Sequence, residues 1–223
     1  RDDLFQKDLR SLLRIIFWMA LPTSVVIFFT RGYIVHFIRN TGDQLMAGIL
    51  GCLVVAILFR TIYHMAARAF YARQDTKTPL YISVFSISLN IALAIILTMN
   101  LNMGAYGLAW AQSTVAVFEV VILLLVMSKQ MPRMFNRAFV KAIGKLIAAS
   151  AVAGVVCYIG VSVMPFRDTD SSFFSAFPKF TIISIFSFGV YLLMSKLLRL
   201  PEVDPILKKG KKLLFGRLDG VWR

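Results

Sequence analysis

Six uncharged or nearly uncharged apolar stretches alternate with short polar ones along the chain, at approximately 11–30, 45–67, 80–99, 105–128, 140–164 and 173–198. Each approaches the roughly 20 apolar residues that a helix needs to cross a bilayer core of about 30 Å. The runs are continuous rather than alternating, which argues against a membrane barrel. Backbone polar groups in lipid must find partners within the segment, so the pattern predicts an all-α, polytopic membrane helix bundle of six transmembrane helices. Leu21-Pro22 interrupts the first run and predicts a kink. The stretch from Arg31-Gly32-Tyr33 to Asn40-Thr41-Gly42 reads as a short amphipathic segment and turn. Asn100 to Gly104 reads as a tight turn, and Lys129 to Lys145, with Pro132 and Asn136, as a boundary before a final helix pair.

Composition agrees with this picture. Hydrophobic residues make up 58% of the 223 residues and charged ones 16%, with a mean hydropathy of +0.74. That is far more apolar than a soluble domain of this size. A net charge of +14 would fit nucleic acid if it were clustered on a soluble face, but the cations follow the loops. Twenty of the 25 Lys and Arg residues fall in the amino-terminal flank, the loop near residue 73, the 129–145 loop and the tail from Lys196. By the positive-inside rule those segments, and both termini, are cytoplasmic. Residues 1–10 show no initiator Met and no signal-peptide pattern, and the chain reads as the carboxy-terminal piece of something longer. In the tail, Ile206, Leu207, Leu213 and Leu214 share one face flanked by Lys208, Lys209, Lys211 and Lys212, a pattern for lying on anionic membrane lipid.

Few residues carry candidate chemistry. Arg60, His64 and Arg68 lie within an 80° arc of the second helix at 100° per residue, and Tyr71 returns to the same side. Arg60 lies about 25 Å from the outer start of its helix. There it either snorkels to headgroups or faces a polar cavity. Glu119, about 21 Å into the fourth helix, needs a partner or neutralisation, and its depth suggests a pair with Arg60. Ser83, Ser86, Ser88 and Asn90 are the polar residues of the third helix, of a kind that bridges helices. Small residues at 105–110 and at Ala148, Ala149, Ser150, Ala151, Ala153 and Gly154 predict close helix contacts. Cys52 and Cys157 fall within spans and imply no disulfide. His36 and His64 fall at opposite membrane faces, and no metal spacing, nucleophile elbow or phosphate-binding loop is found. Nothing here calls for a cofactor, a metal or an enzyme.

The segment Arg68-Ala-Phe-Tyr-Ala-Arg-Gln-Asp-Thr-Lys-Thr-Pro79 closes one span and opens the next, with Thr78 as a capping hydroxyl and Pro79 as a helix-start residue. Its Arg68, Phe70, Tyr71, Asp75, Thr76, Thr78 and Pro79 resemble the signature hairpin of the MurJ/MviN lipid II flippases, within the multidrug/oligosaccharidyl-lipid/polysaccharide exporter superfamily. Leu21-Pro22, Gly32, Asn90 and Gly107-Leu108-Ala109 support the resemblance over roughly residues 1–130. It implies the last six of fourteen helices: 1–130 as the last four of the second transporter lobe, 131–200 as a terminal two-helix pair, and 201–223 as a basic cytoplasmic tail. It also implies a multi-pass transporter of the bacterial plasma membrane that moves undecaprenyl-linked peptidoglycan precursor by alternating access. Its partner would be an amino-terminal lobe of the same protein, whose early helices hold most of the pyrophosphate-binding arginines. Another polysaccharide-lipid or drug exporter of the superfamily, or a non-transporting membrane scaffold, are the alternatives.

Overall fold

The computed structural model describes residues 2–39, 43–131, 135–165 and 173–200. Six helices follow in order: α1 (Asp2–Arg39), α2 (Gln44–Ala72), α3 (Lys77–Ile95), α4 (Ala105–Gln130), α5 (Arg137–Val163) and α6 (Phe173–Leu197). A π-helical turn, Ile96–Asn100, extends α3. All six are long and apolar enough to span a membrane. Two expected boundaries shift. The charged lead-in from Asp2 and the stretch up to Arg39, expected as an amphipathic segment and turn, belong to one helix of 38 residues. Gly32 alone costs a helix only about 1 kcal/mol, and the buried Tyr33, Val35 and His36 beside it hold the stretch in place. Residues 40–42, the 166–172 loop and the basic tail lie outside the described residues.

The loop between α2 and α3 is tied down by local hydrogen bonds. The Asp75 N–H donates to the Phe70 carbonyl and the Gln74 N–H to the Tyr71 carbonyl, both at 3.0 Å. Gln74 adopts a positive φ of 61°. This is a Schellman ending, usually built on glycine, and here it is formed by glutamine. Asp75 then caps α3. Its carboxylate accepts from the Thr78 N–H at 3.0 Å and the Thr78 hydroxyl at 2.7 Å, and Gln130 of α4 donates to it at 3.5 Å. Thr78 was expected to accept from backbone N–H groups; it donates to Asp75 instead. Pro79, the third residue of α3 rather than the first, is tolerated because first-turn N–H groups have no intrahelical partner anyway.

The hydrogen bond from the Thr78 hydroxyl, with that from its N–H, holds the Asp75 carboxyl below the usual carboxylate range. A lowered folded value means this tie is complete above the ordinary carboxylate pKa of about 4 and is lost as pH falls through the folded value. Hydrogen exchange at the Thr78 amide, corrected for intrinsic rate, should therefore be flat from neutral pH down to about 4 and rise below it. Asp75→Ala should raise it from neutral pH down to that point and make little difference once the native carboxyl is protonated. Equal protection in the variant at neutral pH would show that the carboxylate does not order the loop.

Helix α2 packs extensively on α4 and α1, and α5 and α6 pack on α1. In lipid the hydrophobic effect does not drive helices together, so fit and hydrogen bonds must hold them. At the end of the bundle that carries the α2–α3 loop, Leu13, Ile62, Phe70, Leu123, Met127 and Phe139 form one core. The Tyr191 hydroxyl of α6 reaches the Trp18 carbonyl of α1 at 2.7 Å, and the Tyr33 hydroxyl donates to the Met164 carbonyl. The small-residue stripe of α5 does bring helices close, since a Cβ on Gly154 would meet Val25 at 2.9 Å. Ala149, Ser150 and Ala153 are buried beside it, whereas Ala148 and Ala151 face outward.

Candidate functional site

Helix α3 packs along α4 but meets α2 at few positions. The gap is a cavity of about 330 Å³ between the three helices, lined by Arg60, Tyr63 and His64 of α2, Ser83, Ser86 and Asn90 of α3, and Gln112 and Glu119 of α4, with Ile87, Ile91 and Val115. Polar contacts tie α3 to α2 at one end of the cavity and to α4 at the other. The Tyr63 hydroxyl shares a hydrogen with Ser83 Oγ at 2.6 Å and donates to the Pro79 carbonyl at 3.3 Å. Asn90 Nδ2 donates to Gln112 Oε1 at 2.8 Å, so Asn90 bridges helices as its residue type suggested. On the far side of α4, Ser113 donates to the Cys52 carbonyl at 2.6 Å and ties α4 to α2.

Of the four residues singled out from sequence, three meet here. Arg60 and His64 are exposed on the α2 wall and Glu119 is half-buried opposite. The expected Arg60–Glu119 ion pair is not formed. Glu119 lies within reach of the Arg60 charge and of the Ser83 hydroxyl, but no ion pair joins the two charged side chains across the cavity. Depth along two axes said nothing about their angle around those axes. Arg68 and Tyr71 continue the exposed face of α2 beyond the cavity and do not line it. The other hairpin residues shape the turn: Phe70 is fully buried, Asp75 and Thr78 form the cap, Pro79 is buried against Tyr63, and Thr76 is exposed with no side-chain cap bond.

Sequence reasoning passed over Tyr63 and Gln112. The signal for Gln112 was its position two turns before Glu119, on the same face of α4, and for Tyr63 its place three residues after Arg60. The chamber presents two cationic or potentially cationic groups, one carboxylate, and neutral donors and acceptors within an otherwise apolar layer. Such a lining suits a polar, hydrogen-bonding group better than a hydrocarbon chain. Among the described residues no group of His, Cys, Asp or Glu is arranged to hold a metal ion.

A family model described as Lipid II flippase MurJ matches residues 1–177. A probable lipid II flippase MurJ of Thermotoga maritima is 27% identical over 212 residues, which is 92% of this chain and 41% of the relative. One from Rhizobium tropici is 20% identical over 207 residues, covering 90% and 38%. A solved structure titled Lipid II flippase MurJ, inward closed conformation, superposes with a TM-score of 0.71 at 24% identity, over 89% of this chain and 40% of that one. The chain thus spans about two fifths of the length of these relatives.

Proposed function

Since the chain belongs to the lipid II flippase MurJ family, we propose that it is part of a transporter, not an enzyme, that carries undecaprenyl-linked peptidoglycan precursor across the bacterial plasma membrane. Residues 1–130 act as the last four helices of a second lobe, 131–200 as a terminal pair, and 201–223 as a basic tail on anionic lipid. A further lobe of the same protein is the other half of the rocking pair, as alternating access moves one repeat against another about a site between them. The observation that carries this reading is the cavity. Arg60, His64 and Glu119 stand in helices otherwise almost free of charge and face one chamber, a costly placement unless a polar ligand or water uses it. Arg68 continues the cationic face toward the α2–α3 loop, where an incoming anionic headgroup would first meet it.

Growth of cells depleted of their own flippase tests the activity. The full-length protein carrying this sequence should restore growth, and residues 1–223 expressed alone should not. Failure of the full-length protein, although present in the membrane, would favour a scaffold. Orientation is tested separately in a background lacking Cys52 and Cys157. An impermeant thiol reagent applied outside should label Leu101→Cys, in the turn after α3, and spare Lys129→Cys at the end of α4. The opposite labelling would invert the topology drawn from the cation bias.

A further inference from the structure

Away from the polar chamber, α1 lies between α2 and α5, which do not touch one another, and an apolar groove runs along each side of it. The groove against α2 has a volume of about 230 Å³ and is walled by Leu21, Val55 and Leu58. The groove against α5 has about 400 Å³ and is walled by Ala151, Gly154 and Tyr158. Val25 and Phe29 of α1 line both, so the two channels are separated only by one ridge of α1.

Arg31 stands at one end of this ridge. The apolar span of α1, Phe5–Ile38, has 34 residues and is about 51 Å long, against a hydrocarbon thickness of about 30 Å. Its midpoint falls at Leu21-Pro22. Arg31 therefore lies about 14 Å from the membrane centre, at the edge of the hydrocarbon where phosphates begin. The side chain is held from below. Its Nη1 donates to the Phe28 carbonyl at 2.9 Å, its guanidinium sits 4.7 Å from the Phe28 ring centre, and its stem rests on α2, where a Cβ on Gly51 would meet Cδ at 3.1 Å. Among the described residues no carboxylate pairs with it. An arginine has five N–H donors in a planar fork suited to phosphate, and one of them is used.

We propose that this surface binds one two-chain anionic glycerophospholipid, its phosphate on Arg31 and its two acyl chains in the grooves on either side of Val25 and Phe29. Two grooves flanking one ridge of α1, with a cation two residues beyond Phe29, match a diacyl lipid. A single-chain polyprenyl lipid would fill only one of them. The uncompensated positive charge selects a headgroup with net negative charge over a zwitterionic one. The site is built by residues that do not line the chamber of α2, α3 and α4, and it does not depend on the flippase reading.

Native mass spectrometry of the purified full-length protein, delipidated and titrated with defined lipids, tests this. Phosphatidylglycerol should bind at one saturable site. Lysophosphatidylglycerol and phosphatidylcholine should bind more weakly, each by about tenfold or more. Arg31→Gln should weaken phosphatidylglycerol by about tenfold and Arg31→Lys by less. Val55→Trp and Ala151→Trp replace outward-facing side chains that the fold does not need buried, and each should fill one groove and reduce binding with Arg31 intact. Unchanged phosphatidylglycerol affinity in Arg31→Gln, or in both tryptophan variants, would overturn the site. Lysophosphatidylglycerol binding as tightly as the diacyl lipid would overturn the two-groove assignment, and phosphatidylcholine binding as tightly as phosphatidylglycerol would overturn the charge selection.

Discussion

Gly107→Val should unfold the α3–α4 corner and cost the full-length protein several degrees of thermal stability in detergent. A Cβ at this position would lie 2.8 Å from the Leu97 carbonyl carbon, 2.9 Å from its oxygen and 3.0 Å from the Thr98 nitrogen. These are main-chain atoms of the π-helical turn, which cannot rotate away as a side chain can. Overpacking of this kind costs about 1–3 kcal/mol and sometimes more, and valine adds further bulk beyond the Cβ. Gly107 is also what lets α4 approach the end of α3, and that approach helps to set the Asn90–Gln112 strut. Gly144→Ala in α5 is the control. A Cβ there meets nothing within 4 Å, so the change should be neutral or stabilising by up to about 1 kcal/mol through helix propensity. Equal losses at the two positions would mean that the close approach at Gly107 is not what holds the corner.

Neutralising either charge of the chamber should abolish growth rescue by the full-length protein while leaving it folded. Arg60→Gln and Glu119→Gln each remove a charge from a wall that is not needed to close a salt bridge, because the two side chains make no direct ion pair. A buried pair broken on one side costs about 3–5 kcal/mol. Charges that face a shared cavity and are partly exposed couple far more weakly, at about 1 kcal/mol or less. The single losses of stability should accordingly be small and should add in the double variant to within about 0.5 kcal/mol. Transport should be lost in each single variant, because the chamber's affinity for a charged headgroup rests on these groups. A strongly non-additive stability cycle would instead mean that the pair forms in the membrane, and intact rescue by both single variants would remove the chamber from the transport path.

Much of this was readable from the chain. Runs near 20 apolar residues admit one structural answer in lipid, so the six spans were legible without their contacts. Helix ends were less so. Nothing between Pro22 and Arg39 stops a helix, and Gly32 looked like a breaker only because the burial of Tyr33 and His36 is a tertiary fact. In the α2–α3 loop the residue types promised a cap, but which oxygen accepts from which N–H depended on Gln74 taking a positive φ, a conformation glutamine rarely advertises. Arg60, His64 and Glu119 stood out as charges within apolar helices. Tyr63 and Gln112 did not, since tyrosine is ordinary near a membrane interface and a lone glutamine amide on a helix face usually bridges to a neighbour. That Arg60 and Glu119 share a cavity yet form no ion pair depended on how α2 and α4 are turned about their axes, which no local pattern encodes.

The claim that the chamber of α2, α3 and α4 receives the precursor's polar end is tested most directly by photocrosslinking. A photoreactive amino acid at Ile91, exposed within the chamber, is compared in the full-length protein with one at Ile185, exposed on α6 away from it. With radiolabelled lipid-linked precursor present, adducts mapped by mass to the sugar–peptide headgroup should form at Ile91 and not at Ile185. Headgroup adducts absent at Ile91, or equally frequent at the two positions, would contradict it.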